Sequence, residues 1–260
     1  MFQERYEAGD SLLHRFDPRV KVVVALILIV GIVLTPERAW PAYPLLWALI
    51  GSLAALGHVS VGRLARLGGL ALPFALAAIT LPFTLPGQPV ATIAGLTLSD
   101  AGLARFASIL IKSWLAVQAA ILLSTTTQFA DLLWALGSLR LPGPLVAIIG
   151  FMYRYLATLR DESERLTRAR DARSGVEPGK RAGGSLGWRA GVTGGMVGNL
   201  FLRSYERSER VYFAMRSRGY DGQMRRLDPP RLAWRSVYLG AIPVAVMVVV
   251  QALALLWWRK

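Results

Sequence analysis

Residues 163–174 and 208–219 repeat one arrangement of charges and small side chains at an offset of 45. Ser163-Glu164-Arg165 matches Ser208-Glu209-Arg210, and Ala169 matches Ala214. Ala172-Arg173-Ser174 then matches Ser217-Arg218-Gly219, so each copy ends in an arginine between two small residues. An arginine in the last turn of a helix can simply complement the helix dipole, an effect of about 0.3–1 kcal/mol. The small neighbours point to more. They let the backbone at a helix tip approach another surface while one guanidinium reaches a carboxylate groove. Two such tips in one chain suit a partner that is itself a pseudo-symmetric dimer, as a pair of ATPase subunits is.

Other residues that could do chemistry are sparse. The chain has two histidines, His14 and His58, and no cysteine, and no cluster has metal-ligand spacing. Gly179-Lys180 lacks the glycine spacing and preceding strand of a phosphate loop. Ser99 and Asp100 are expected to cap a helix, and Gly194-Gly195 to serve close helix packing. Lys112 is the one charge well inside an apolar span, six or seven residues from that span's start, and is expected to snorkel to the interface. No nucleophile–base set stands out, so no enzyme activity is expected.

The elements that must position the two arginines follow from composition. Of 260 residues, 54% are hydrophobic and 18% charged, yet the formal net charge is +14. Soluble chains carry about 25% charged residues, and disorder needs low hydrophobicity. What is left is a basic nucleic-acid binder or a membrane protein with basic cytoplasmic segments. Residues 140–235 hold 19 Lys+Arg against 9 Asp+Glu, whereas the first 139 are nearly balanced. Apolar runs cover 22–34, 45–56, 67–85, 106–123 and 237–258. A bilayer core takes about 20 helical residues, and only backbone-satisfied helices cross lipid. The first run reaches that length if 18–21 join it, with Lys21 snorkelling. Five spans are expected; a sixth in 142–159 is disfavoured by Arg154.

The leader carries Glu4, Glu7, Asp10 and Asp17 with no small-x-small site, so a cleaved signal peptide is not expected. Asp17-Pro18 has the form of a helix start. Arg63 and Arg66 lie in one loop, and 86–104 has no Lys or Arg, which places the N-terminus, that loop and 125–235 on the cytoplasmic side of the membrane. The organisation expected is an all-α polytopic protein: a membrane domain (1–124), a cytoplasmic segment of two or three amphipathic helices (125–235), and a C-terminal span (236–260). Within the segment, 127–139 is a short helix. Apolar residues from Leu145 to Leu166 recur at helical spacing, with Asp161–Arg165 and Glu164–Arg168 as i,i+4 pairs, ending near Gly175. Residues 176–187 form a Gly-rich connection. A second helix through Met196 to Met215, with the pair Glu206–Arg210, stops at Gly219.

The chain resembles the transmembrane T component of energy-coupling-factor transporters, the CbiQ type of cobalt and nickel importers. The likeness spans nearly the whole length. It rests on Leu13-His14-Arg15-Phe16-Asp17-Pro18-Arg19-Val20-Lys21, Phe129-Ala130-Asp131-Leu132-Leu133, Met152-Tyr153-Arg154-Tyr155-Leu156 and, most specifically, Ala214-Met215-Arg216-Ser217-Arg218-Gly219-Tyr220. The family's two Ala-Arg-Gly-like motifs fall on Ala172-Arg173-Ser174 and Ser217-Arg218-Gly219, with Ser in place of Gly in the first and of Ala in the second. The resemblance implies a subunit without chemistry of its own. Its helix tips would dock two ATPase subunits, which bind ATP and Mg. A separate CbiM- or NikM-like membrane subunit, with a small accessory subunit, would hold the metal ion; this chain would bind no cofactor, metal or nucleic acid. Two other readings are a permease subunit of a conventional ABC importer and a membrane-anchored binder of anionic lipid or nucleic acid.

Overall fold

A computed structural model describes residues 6, 9–93, 96–173, 185–222 and 233–257. The fold is all-α with one small hairpin. It comprises α1 (Pro18–Leu34), α2 (Ala42–Leu56), α3 (Val61–Leu67), a 3₁₀ turn (Gly68–Ala71), α4 (Leu72–Ala78) and α5 (Leu81–Thr84). Then follow β1 (Pro89–Ile93), β2 (Leu96–Ser99), α6 (Asp100–Thr126), α7 (Phe129–Ser138), α8 (Gly143–Arg173), α9 (Leu186–Ser217) and α10 (Trp234–Trp257). Two compact units result: α8 and α9 lie in Arg140–Leu227, and the remaining elements form the other.

In the larger unit α1 packs against α6, α7 and α10, and α2 against α6 and α10. α1 starts as its sequence dictates: Asp17 accepts a hydrogen bond from the Arg19 N–H at 2.8 Å, and Pro18 occupies the first turn. Ile32, Leu46, Ile50, Leu64, Leu115 and Met247 form the core. Leu26, Val30, Leu34, Leu76, Val248 and Leu256 point outward, as apolar side chains do when lipid covers them. Small residues allow close approach: a Cβ on Gly31 would collide with Met247, and one on Gly240 with Val20. Gln251 Nε2 reinforces the α1–α10 seam by donating to the Gly31 carbonyl (2.6 Å) and Thr35 Oγ1 (2.7 Å).

Three stretches among the described residues are long and apolar enough to cross a membrane: Val61–Thr84, Asp100–Thr126 and Trp234–Leu256. α1, with 17 residues, and α2, with 15, are shorter. The third expected span is a broken rod. Pro73 and Pro82 cannot donate to the preceding turn, so α4 and α5 each restart at a proline. Trp114 Nε1 donates to the Ala65 carbonyl at 3.2 Å beside the break, so that carbonyl keeps a partner inside the membrane unit.

The hairpin was not foreseen. β1 and β2 are antiparallel, with Thr92 opposite Thr97 and Ile93 opposite Leu96. The pattern Pro-Val-Ala-Thr-Ile and Leu-Thr-Leu-Ser alternates in the strand manner. Ser99 caps α6 by accepting from the Gly102 N–H at 3.0 Å. α6 therefore begins at Asp100, and Lys112 sits twelve residues beyond its first residue, roughly 18 Å along the axis. Near the start of this helix Arg105 pairs with Glu37 at 3.1 Å.

Candidate functional site

α8 and α9 are built differently from the membrane helices. α8 has 31 residues and α9 32, each about 45 Å long. Ala147 is the one residue of α8 that is buried, and α9 has none. Ser185 starts α9 by accepting from the Trp188 N–H at 3.2 Å, so 185–187 belong to the helix and not to a Gly-rich connection. Residues 176–184 of that expected connection lie outside the described residues. Gly194 and Gly195 face open space within this structure, with no neighbour within 4 Å of a Cβ, which does not fit the close packing expected of them.

The two helices run antiparallel. Arg203 Nη1 of α9 donates to Glu162 Oε1 of α8 at 2.6 Å. An open groove of about 810 Å³ has the first half of α8 (Ile148, Met152, Tyr155) on one wall and the second half of α9 (Ser208, Tyr212, Met215) on the other. Along α8, Glu164 accepts from Arg160 Nε at 2.8 Å and lies 3.7 Å from Arg168. The Arg160 hydrogen bond, followed by its charge, holds the Glu164 carboxyl below the usual range. Arg165 turns to Glu162 (3.6 Å) and not to Asp161 as its spacing suggested, whereas Glu206–Arg210 pairs at 4.0 Å.

The repeated motifs fall at the two C-terminal tips. Ala172 and Arg173 are exposed in the last turn of α8, and Ser174 lies outside the described residues. Ser217 closes α9, and Arg218 and Gly219 follow; all three are exposed. Gly219 adopts φ +84°, and its N–H donates to the Arg216 carbonyl while the Tyr220 N–H donates to that of Met215, both at 3.0 Å. This is the Schellman closure, in which a left-handed glycine stops the helix cleanly. Neither Arg173 nor Arg218 has a partner among the described residues, whereas Arg170 is held by Asp171 (2.8 Å) and Arg216 by the Tyr212 hydroxyl (3.3 Å).

The tips are far apart. Arg173 is eleven residues beyond Glu162 and Arg218 fifteen beyond Arg203, in opposite directions from the crossing pair. At about 1.5 Å per residue, the separation reaches up to roughly 40 Å. The cross-helix pair Glu162–Arg203 was missed from sequence, because only spacings within a helix signal themselves there.

The remaining candidates lie elsewhere. His14 Nδ1 is 2.6 Å from Ser11 Oγ, and His58 holds a left-handed φ of +55° in the α2–α3 connection. Among the described residues no three His, Cys, Asp or Glu side chains converge as metal ligands do. Lys21 does not snorkel outward. Its ammonium turns in to the Thr126 carbonyl at 2.8 Å.

A sequence model of the CbiQ family, described as cobalt transport protein, matches residues 9–229. The chain belongs to the CbiQ/EcfT family. It is 30% identical to the energy-coupling factor transporter transmembrane protein EcfT of Listeria innocua, over 90% of each chain. It is 30% identical to the EcfT of Lactococcus lactis over 99% of this chain and 97% of that one. The EcfT of Limosilactobacillus fermentum is 29% identical over 94% and 92%. The family match runs from α1 through both arginine-ended helices, α8 and α9, and stops before α10.

Proposed function

We propose that this chain is the membrane-embedded coupling subunit of an energy-coupling-factor importer, with cobalt or nickel ions as cargo. The observation that carries the reading is the pair of exposed arginine tips at opposite ends of antiparallel α8 and α9. Ala172-Arg173-Ser174 would dock one ATPase subunit and Ser217-Arg218-Gly219 the other. A dimer that closes on ATP would draw the tips together, and the helices would pass that movement to the membrane unit and to a separate subunit that holds the ion. ATP hydrolysis belongs to the ATPase subunits and ion ligation to the cargo subunit. The cytoplasmic placement of α8 and α9 rests on the excess of arginine along them.

The test is the charge reversal of both tips. Arg173→Glu with Arg218→Glu should abolish co-purification of the ATPase subunits while leaving membrane insertion and yield unchanged. Normal assembly with full ATP-driven uptake of Co²⁺ or Ni²⁺ by that variant would defeat the reading. Uptake of some other cargo with the tips still required would remove only the cobalt or nickel assignment. A conventional permease subunit needs one tip per chain, because two copies face the two ATPases; loss on reversing either arginine alone separates the readings.

A further inference from the structure

The membrane unit holds a cleft of about 380 Å³ between α1, α2, α6 and α10. Its helices share one face. α1 and α10 run side by side in the same direction, since a Cβ on Gly240 would meet Val20 and one on Gly31 would meet Met247. Lys21 Nζ donates to the carbonyl of Thr126 at 2.8 Å, so α6 ends where α1 starts. Leu13 lies 3.4 Å from where a Cβ on Gly57 would stand, so α2 ends there too. The cleft therefore runs inward from the membrane face at which α1 and α10 begin.

Its walls suit hydrocarbon. Leu28, Ile50 and Leu122 are its buried floor, whereas Leu56, Ile242 and Val246 are exposed at its rim. Exposed apolar side chains on spanning helices face lipid, so the cleft opens toward the bilayer. Among the described residues, Lys21, Ser52 and Thr126 bring the polar side chains to the wall. Each is already bonded: Lys21 to the Thr126 carbonyl, Ser52 Oγ to that of Leu49 and Thr126 Oγ1 to that of Leu122, all at 2.8 Å. A wall with no polar group to spare offers little to water or to a polar ligand. It is also too small for a partner helix, one turn of which fills roughly 400–600 Å³. A flexible acyl chain fits.

Charge stands above the rim. Arg235 precedes Leu239, Ile242 and Val246 by four, seven and eleven residues, so it continues their stripe of α10 toward the membrane face. Trp234 and Tyr238 beside it are exposed aromatics of the kind that settle at headgroup level. In the leader, Arg15 adjoins Phe16, which lines the cleft. Both arginines are exposed, and neither side chain is paired with a described residue. Cations over an apolar cleft between spanning helices are what an anionic lipid headgroup seeks above its chains.

We infer that this cleft is a binding site for an anionic phospholipid of the bilayer, with one acyl chain in the cleft and the phosphate at Arg235 and Arg15. The site lies wholly within the membrane unit and does not depend on which subunits the chain meets. The test places the full-length chain in phosphatidylcholine vesicles with a trace of phosphatidylglycerol that carries a photoactivatable group along one acyl chain. Peptide mass spectrometry then locates the label. Labelling should concentrate on Leu28, Ile50 and Leu122 over the outward-facing Val30, Val248 and Leu256. A phosphatidylcholine probe of the same chain should label the cleft at least roughly fivefold less, about the factor one arginine contributes at a membrane surface. Arg15→Gln with Arg235→Gln should erase that preference. Leu53→Trp, which fills the cleft, should abolish cleft labelling with both arginines in place. If either variant does not insert, the two probes on the unaltered chain decide. Equal labelling of cleft and outer surface, or of the cleft by both probes, would overturn the site.

Discussion

The membrane unit and the α8–α9 unit place their apolar side chains in opposite ways. In the first, Ile32, Leu46, Leu115 and Met247 are at most 2% exposed, and large apolar side chains such as Leu34, Leu76 and Leu256 are left outside. In the second, Ile148 and Met152 are each 61% exposed and Phe201 and Phe213 each 67%. Lipid covers the first kind of surface. The second carries ion pairs such as Arg160–Glu164 beside its exposed apolar side chains, and its tip arginines have no side-chain partner among the described residues. The membrane unit is held by its own packing, whereas α8 and α9 bury almost nothing within the described chain.

That difference can be broken or sharpened by substitution. The largest effect is expected at the tips. Arg173→Glu with Arg218→Glu should weaken ATPase binding at least roughly 100-fold, because each reversal leaves a carboxylate facing the partner's own. Quantitative pull-down of the ATPase subunits measures this, and the thermal midpoint of the isolated chain should not move. Next comes a pair of glycine substitutions. A Cβ on Gly102 would lie 2.6 Å from the Leu81 carbonyl and 2.7 Å from Pro82 Cα, both backbone atoms that cannot yield. Gly102→Ala should cost about 1–3 kcal/mol and lower the thermal midpoint in detergent. Gly194→Ala, with open space around it, should leave the midpoint unchanged or raise it by the equivalent of up to about 1 kcal/mol. A loss at Gly194 as large as at Gly102 would contradict the contrast between units.

Smaller effects follow. Gly219→Ala forces a side chain into φ +84° and should cost about 1 kcal/mol, seen as faster amide exchange in the last turn of α9. The smallest is a pH dependence at His14. Burial first, then the Lys21 and His58 charges, hold its pKa below the ordinary 6.5, with Asp10 opposing. The unfolded chain then binds the proton more readily than the folded one. Its contribution is complete above about pH 6.5 and is lost as pH falls through the lower folded value. Thermal midpoints of wild type should drop between pH 7.5 and 5.5 slightly more than those of His14→Gln.

Much of this was legible in the residues themselves. Asp17-Pro18 announced a helix start, Ser99 a cap and Gly219 a stop, because each acts on backbone groups within a few positions. The repeat at Arg173 and Arg218 was visible for the same reason: the small neighbours and the arginine are adjacent in sequence. The Glu162–Arg203 and Lys21–Thr126 bonds join residues 41 and 105 positions apart, and no local spacing encodes them. Lys21 looked like a snorkelling lysine because an apolar run says nothing of which neighbour a charge will find. The broken helix at Val61–Thr84 was readable in principle from Pro73 and Pro82, but its apolar composition masked the interruptions.

The central claim is that one chain docks two ATPase subunits, one at each tip. A photo-cross-linking side chain placed at Ala172 and at Ser217, separately and together, in the assembled transporter tests it most directly. Each single position should trap one ATPase subunit, and the two together should yield a product containing this chain and two. Trapping at only one position, or no ATPase in the product from either, would contradict it.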